Sequence, residues 1–464
     1  KEGTVTNSER RISRVRAATE PPGQARADWE IARDFARKLE ARMRPGKPTL
    51  FPYETAESVW QEHRDSTRGR DLDITGLTYA KLEEAPQQWP FLPGQTHGKA
   101  RLYEDGRFAT LSGKARFMAT PYRPVAESAD AHYPFRLITG RLRDQWHGMT
   151  RTGTVAQLFA HVPEPAIGVH PQDLERRGLA AGDLLRIESR RGHVHALAVA
   201  DDSLRLGQVY LPMHWGARFL GGRDIHGVNT LTLPAYDKDS KQPELKHSAV
   251  RIARAELPWR LAVFSYASMG TAAALLDSLT PLLPEFSFSS VVLFGREEEG
   301  VLMRLADKQA PALQTIEDID RRFGLAQSDV LRYDDSRRGV GRRVNILHGR
   351  LRGVRLSGDG AQLAAEAWLK EWLVSGEPVT AIRRFLLAPT ATAPSGFVSP
   401  GKVVCSCLNV TDTQITSALA QTSGTASERV KTLQGSLRCG TNCGSCLPEV
   451  RRLVESQISE PLAA

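Results

Sequence analysis

Apolar residues recur at three-to-four spacing through Trp29, Ile31, Ala32, Phe35, Ala36 and Leu39, which predicts an amphipathic helix with its apolar face in a core and no part in cofactor chemistry. Farther along, the pattern shortens to strands. A β-run from Phe135 to Ile138 ends in Thr139-Gly140-Arg141. Leu184 to Ser189 and Val194 to Val199 flank Arg190-Arg191-Gly192-His193, a hairpin turn in which Gly192 is expected at positive φ. Gln208 to Pro212 then leads into His214-Trp215-Gly216. Several short strands with glycine turns predict a compact barrel rather than a sandwich with long edges. Leu261 to Phe264 and Val291 to Phe294 read as buried strands separated by a helical Ala272 to Leu276 stretch. Arg342 to Leu347, a Gly349-Arg350 turn and Leu351 to Ser357 precede a helix over Ala361 to Leu373. No glycine-rich fingerprint follows a strand here, so nothing points to FAD or NAD binding, and a docking or spacer role is expected. Pro389 to Pro400, rich in Ala, Thr, Ser and Pro, reads as a linker.

The chain has 464 residues and 41% hydrophobic content, enough to bury several cores, and three or four domains are expected. No apolar run approaches the roughly 18 residues of a membrane span, and the first residues lack a signal-peptide core, so no membrane contact and a cytoplasmic location are expected. The net charge of +9 belongs to residues 1–404, because residues 405–464 hold five Lys/Arg and five Asp/Glu. No zinc finger, basic helix repeat or aromatic-basic strand motif accompanies it, which argues against nucleic acid.

All five cysteines lie between positions 405 and 446, as Cys405-Ser406-Cys407 and Cys439-Gly440-Thr441-Asn442-Cys443-Gly444-Ser445-Cys446. Paired thiols with glycines between them point to a metal centre. Short C-x-C and C-x-x-C loops turn two sulfurs to one side of the backbone, so two such loops supply four ligands. Pro448 suits the first turn of a helix through Val454, which would set Cys446 at a positive helix N-terminus. Thr411 and Gln414 resemble a capping box. Structural zinc also takes four cysteines and remains open from spacing alone.

Arginines cluster with threonine, glycine and tryptophan after the first strand. Thr139, Thr150 and Thr152 offer hydroxyls, Gly140 and Gly148 allow close backbone approach, and Arg141 and Arg151 can make bidentate phosphate contacts. A loop at the end of a strand is a common place to hold a ligand.

Two resemblances follow from these motifs. The C-x-C opening, the long intervening stretch and the ending Gly-Thr-Asn-Cys-Gly-Ser-Cys-Leu-Pro-Glu resemble the [2Fe-2S] domain of bacterioferritin-associated ferredoxin, which also closes many bacterial assimilatory nitrate reductases. The resemblance implies Cys405, Cys407, Cys443 and Cys446 as ligands, with Cys439 a bystander. The strand followed by Thr-Gly-Arg-x-x-Asp-x-Trp-His, the Val169-His170-Pro171-Gln172-Asp173 element, His214-Trp215, and Asn229 followed by Lys241 to Lys246 resemble the dinucleotide-binding domain of the molybdopterin oxidoreductases, in detail most like cytoplasmic nitrate reductases. By that likeness Thr139, Gly140, Arg141, Trp146, His147, Thr150 and Arg151 would line the pterin dinucleotide, with Asn229 and Lys246 approaching from the other side.

The implied fold is multidomain, α/β and β. Residues 1–133 would be the remnant of a molybdopterin oxidoreductase catalytic core and 134–257 a double-psi β-barrel. Residues 258–388 would form a small α/β domain resembling the C-terminal domain of nitrite and rubredoxin reductases, 389–400 a linker, and 401–464 a small, mainly helical [2Fe-2S] domain. The implied activity is reduction of nitrate to nitrite by molybdenum held in two molybdopterin guanine dinucleotides. Electrons would come from a flavoprotein reductase, a ferredoxin or a flavodoxin. The opening residues resemble a segment deep inside these enzymes, so the chain is expected to lack an N-terminal half that carries a [4Fe-4S] cluster and the molybdenum-ligating side chain; no catalytic residue is identified in the sequence. Another molybdopterin enzyme such as a formate dehydrogenase, and a non-catalytic iron-sulfur electron carrier, are the alternatives.

Overall fold

The computed structural model describes residues 2–459 apart from 224, 226, 245, 268–269, 389–392 and 395–396. The chain divides into two compact units, residues 1–122 and 123–464.

In the first unit Gly3–Thr6, Arg11–Val15 and Gln87–Gln88 form a three-stranded antiparallel sheet. Its small core gathers Ile12, Trp60, Ile74, Leu77 and Phe91. The predicted amphipathic helix forms, as Asp28–Met43, but none of its residues is buried and Phe35 is 69% exposed. The expected core placement of that helix is therefore wrong. Its described tertiary bonds are polar instead: Arg33 and Arg37 donate to the carbonyls of Tyr53 and Phe51, and Glu40 accepts from Leu50 N.

The second unit begins with a closed six-stranded barrel. Around it run Ser248–Arg254, Phe135–Ile138, Gln208–Tyr210, Ala166–Val169, His193–Ala200 and Leu184–Glu188, the last pairing back to the first. Phe135–Ile138 with Gln208–Tyr210 and Ala166–Val169 with His193–Ala200 are parallel pairs; the other pairings are antiparallel. Alternation explains the closure: Phe135, Leu137, Ile167, Val169, Leu185 and Ile187 all point into the core. The predicted hairpin is present, closed by Ser189 N donating to Gly192 O at 2.9 Å. Gly192 does not take positive φ. It is needed for close approach, since a Cβ there would sit 2.6 Å from Thr230 Cγ2.

A seven-stranded antiparallel sheet follows, in the order Leu331–Asp335, Val340–Leu347, Arg350–Gly358, Trp259–Tyr266, Glu299–Asp307, Phe288–Gly295 and Leu220–Gly221. Leu220–Gly221 comes from the barrel segment, and barrel and sheet share one continuous hydrophobic core. The predicted C-terminal helix of this region is Glu366–Ser375. Phe397, in the described part of 389–400, stacks on its Trp372 at 5.1 Å; the rest of that stretch falls partly outside the described residues.

Residues 403–459 have a separate core around Val404, Ile415, Leu433, Val450 and Val454. Helices Asp412–Leu419, Ala426–Ser436 and Leu447–Ser459 pack beside a short pair of strands, Val403–Cys405 and Val410–Thr411. Among the described residues no helix is long and apolar enough to cross a membrane.

Candidate functional site

The loop after Phe135–Ile138 is shaped by one residue that sequence motifs mention without giving it a role. His214, fully buried, donates from Nδ1 to the carbonyl of His147 at 2.7 Å and accepts from Leu142 N at Nε2 at 2.9 Å. These two bonds fix its tautomer, and burial depresses its pKa, so it stays neutral. Met213 N donates to Gly140 O at 2.9 Å, and Tyr210 Oη donates to Arg141 O at 3.0 Å. A Cβ on Gly140 would lie 3.1 Å from the Tyr210 ring, so the root of the loop is packed tightly. His147 and Met149 sit at φ of 45° and 61°, left-handed values held by these contacts and by complete burial of Met149.

The loop has two faces. On one, the Arg141 guanidinium stands 4.6 Å from the Trp146 ring centroid, Trp146 meets His147 edge-on, and Trp146 is 56% exposed. Arg141, His147, Thr150 and Arg151 are exposed, while Thr139 is buried at the root. Exposed Asn229 lies in a turn tied to Trp215 by Val228 N at 3.2 Å. Lys246, also exposed, is two residues before Ser248, whose register partner is Leu137, and so enters where Thr139 leaves the sheet. Arg141, Trp146 and His147 are thus in mutual contact; Asn229 and Lys246 are linked to the loop through its flanking segments.

The other face meets the cysteine segment. Arg143 donates to Glu449 Oε2 at 2.8 Å and to the carbonyl of Val404, and Ser406 Oγ donates to Asp144 Oδ2 at 2.7 Å. Spacing rules gave no signal for these contacts, because the partners are some 260 to 310 positions apart.

Cys407 and Cys443 bring their sulfurs to 3.3 Å, and Cys405 and Cys446 are hydrogen-bonded neighbours. Among the described residues no three histidine, cysteine or carboxylate side chains gather around one point. Two pairs of thiols suit a two-iron cluster, which takes two thiolates per iron. Gly440 and Gly444 adopt φ of 78° and 76°, and a Cβ on Gly440 would strike Leu447 at 2.4 Å. Cys446 directly precedes the helix Leu447–Ser459 as expected, yet burial, then the neighbouring Cys405, push its thiol up to about 12. The helix end alone therefore does not make a thiolate there, and a bound cation would have to displace the proton. Hydrogen bonding to Ser445 lowers Cys443. Cys439, fully buried in the tail core with its pKa raised by burial, packs against Leu433.

With this geometry, comparison with known families is direct. Residues 135–249 match the model of the molydopterin dinucleotide binding domain, residues 403–456 that of the BFD-like [2Fe-2S] binding domain, and residues 1–38 that of molybdopterin oxidoreductase. The chain is thus similar, over three of its segments, to domains of the molybdopterin oxidoreductases. The chain carries the domains for the molybdenum pterin cofactor and for a [2Fe-2S] cluster. It is 31% identical to a nitrate reductase of Klebsiella oxytoca over 99% of its own length and 49% of the relative's. It is 35% identical to the alpha subunit of an F420-dependent formate dehydrogenase of Methanocaldococcus jannaschii, over 55% of this chain and 35% of that one. With the assimilatory nitrate reductase catalytic subunit of Bacillus subtilis the identity is 33%, over 54% and 34%. The chain spans about half or less of the length of these relatives.

Proposed function

We propose that this chain is the cofactor-clamping and electron-entry part of a cytoplasmic, assimilatory nitrate reductase. The observation that carries the reading is the two-faced loop 139–151, one face open to solvent with Arg141, Trp146 and His147, the other against the cysteine segment. The nitrate alternative draws support from extent: the Klebsiella nitrate reductase aligns with 99% of the chain and the formate dehydrogenase with 55%.

In this reading the barrel is of the double-psi kind, and the domain limits at 133, 257, 388 and 400 apply. Arg141 and Arg151 bind phosphate, and Thr139, Gly140 and Thr150 let the backbone approach. Trp146 and His147 pack on the pterin dinucleotide, with Asn229 and Lys246 beyond it. Cys405, Cys407, Cys443 and Cys446 hold the cluster. The molybdenum pterin guanine dinucleotides that these residues would hold would supply the oxygen-atom-transfer chemistry by which nitrate, two electrons and two protons give nitrite and water. This chain's residues bind and orient that group and admit electrons from a flavoprotein, ferredoxin or flavodoxin donor.

The test is nitrate-dependent oxidation of reduced viologen, measured beside formate oxidation on the enzyme containing this chain. Nitrate turnover without formate turnover is expected, and the reverse result would replace this reading with a formate dehydrogenase. Arg141→Ala is expected to lower pterin content severalfold at unchanged iron content, and unchanged pterin would remove Arg141 from the site.

A further inference from the structure

The tail has its own hydrophobic core, so its seat on the barrel is a contact between two separately built bodies. Three backbone carbonyls in and next to the C-x-C segment accept from side chains outside the tail. Val404 O accepts from Arg143, Ser406 O from Gln157 at 2.9 Å, and Cys407 O from Arg296 at 2.9 Å. Arg143 and Gln157 lie between the barrel strands Phe135–Ile138 and Ala166–Val169, and Arg296 directly follows the sheet strand Phe288–Gly295. Glu449, three residues beyond Cys446 in the first turn of the helix Leu447–Ser459, accepts on Oε2 from Arg143 at 2.8 Å and His161 at 2.9 Å, and on Oε1 from Lys402 at 3.2 Å. Its side chain is only 17% exposed. Exposed ion pairs contribute little, but a shielded carboxylate with three donors, one of them also bound to the ligand segment's backbone, is a cooperative contact.

We infer that Arg143 and Glu449 form a latch that seats the [2Fe-2S] domain on the inner face of the loop whose outer face is open to the pterin dinucleotide, and that they are positioning residues for electron delivery. The inference rests on the proposed function for the identity of the two redox groups. Each delivery moves one electron: the reduced cluster is oxidised by one and the pterin-held molybdenum is reduced by one, with no bond made or broken. A reduced flavoprotein or ferredoxin restores the cluster. The latch keeps this step intramolecular, because Arg143 and Asp144 bind the cluster segment while Arg141 and Trp146, within three residues of them, face the other way.

The experiment is a double-mutant cycle on the full-length holoenzyme with Arg143→Ala, Glu449→Gln and both together. The electron paramagnetic resonance signal of the reduced cluster, expected to be unchanged, establishes that the tail is folded. Nitrate-driven reoxidation of the pre-reduced cluster is expected to slow at least tenfold in each single variant, and no further in the double. Wild-type rates in both singles, or losses that multiply in the double, would overturn the latch. If nitrate does not reoxidise the wild-type cluster, the functional reading fails, and amide hydrogen exchange at residues 404–408 then decides the latch by itself. At least tenfold faster exchange in both singles, with no further increase in the double, supports it; unchanged exchange overturns it.

Discussion

The cysteine site and the loop 139–151 both belong to one unit, but their order comes from different places. The four candidate ligands touch in pairs across two short loops, Cys407 with Cys443 and Cys405 with Cys446, the second loop contains Gly440 and Gly444, and a helix follows each limb. The exposed candidate pterin residues of the loop are held from behind by His214, Tyr210 and Met213, all about 70 positions away. A site made of local chain is ready before its cofactor arrives. One made by a distant scaffold depends on that scaffold staying intact.

The largest effect should come from attacking the local site directly. Cys443→Ser is expected to abolish [2Fe-2S] incorporation, read as loss of the roughly two irons and two sulfides per chain that a loaded cluster contains. Cys439→Ala should leave the iron in place and cost the tail about 1 to 2 kcal/mol, because it deletes a buried sulfur from the core. If instead Cys439→Ala loses the iron and Cys443→Ser keeps it, the pairing described above is wrong.

Acid should separate the two regions next. His195 in the barrel is 4% exposed, and burial, helped by the charges of His193 and Arg186, depresses its pKa to about 4. With the unfolded value near 6.5, the unfolded chain takes up a proton between those limits that the folded barrel refuses. Stability is therefore full above pH 6.5 and falls as pH drops toward 4, by about 3 kcal/mol in all. Barrel unfolding followed by tryptophan fluorescence should shift accordingly, and His195→Phe should flatten that dependence if the ring is accommodated.

His214→Ala tests the scaffold under the loop. It leaves Leu142 N and the His147 carbonyl without their partner and opens a cavity, a loss of about 2 to 3 kcal/mol in barrel unfolding. Pterin retention should fall with it while cluster content stays constant. Equal loss of both cofactors would mean the two regions do not behave as separate sites.

How much could be read from sequence follows the same division. The hairpin and the Thr411 cap depend on neighbours within a few residues, and spacing reports them; spacing also marks the two cysteine loops, although it pairs the sulfurs within each loop and the structure pairs Cys407 with Cys443 and Cys405 with Cys446 across them. The tie from Arg143 to Glu449, the service of His214 to two backbone groups, and the capture of Leu220–Gly221 by the sheet depend on tertiary proximity, which no spacing rule encodes. The helix Asp28–Met43 shows the opposite error, since its periodicity was a correct sign of helix and a wrong sign of burial. Apolar spacing describes which face could be covered; what covers it is decided elsewhere in the fold.

The smallest expected effect gives the sharpest check that the tail is locally organised. Thr411 Oγ1 accepts from Gln414 N at 3.3 Å and Gln414 Oε1 accepts from Thr411 N at 2.9 Å, so each side chain satisfies an amide at the start of Asp412–Leu419. Thr411 is buried and its strand pairs with Val403–Cys405, which joins the cap to the first ligand loop. Thr411→Ala should therefore cost about 1 kcal/mol, measured by chemical unfolding of the tail, with barrel unfolding unchanged. Thr411→Ser, which keeps the accepting oxygen, should recover most of it. A shift of the barrel transition by the same amount would show that the tail's stability is set by its seat on the barrel, and the contrast between a local and a scaffolded site would then fail at its local end.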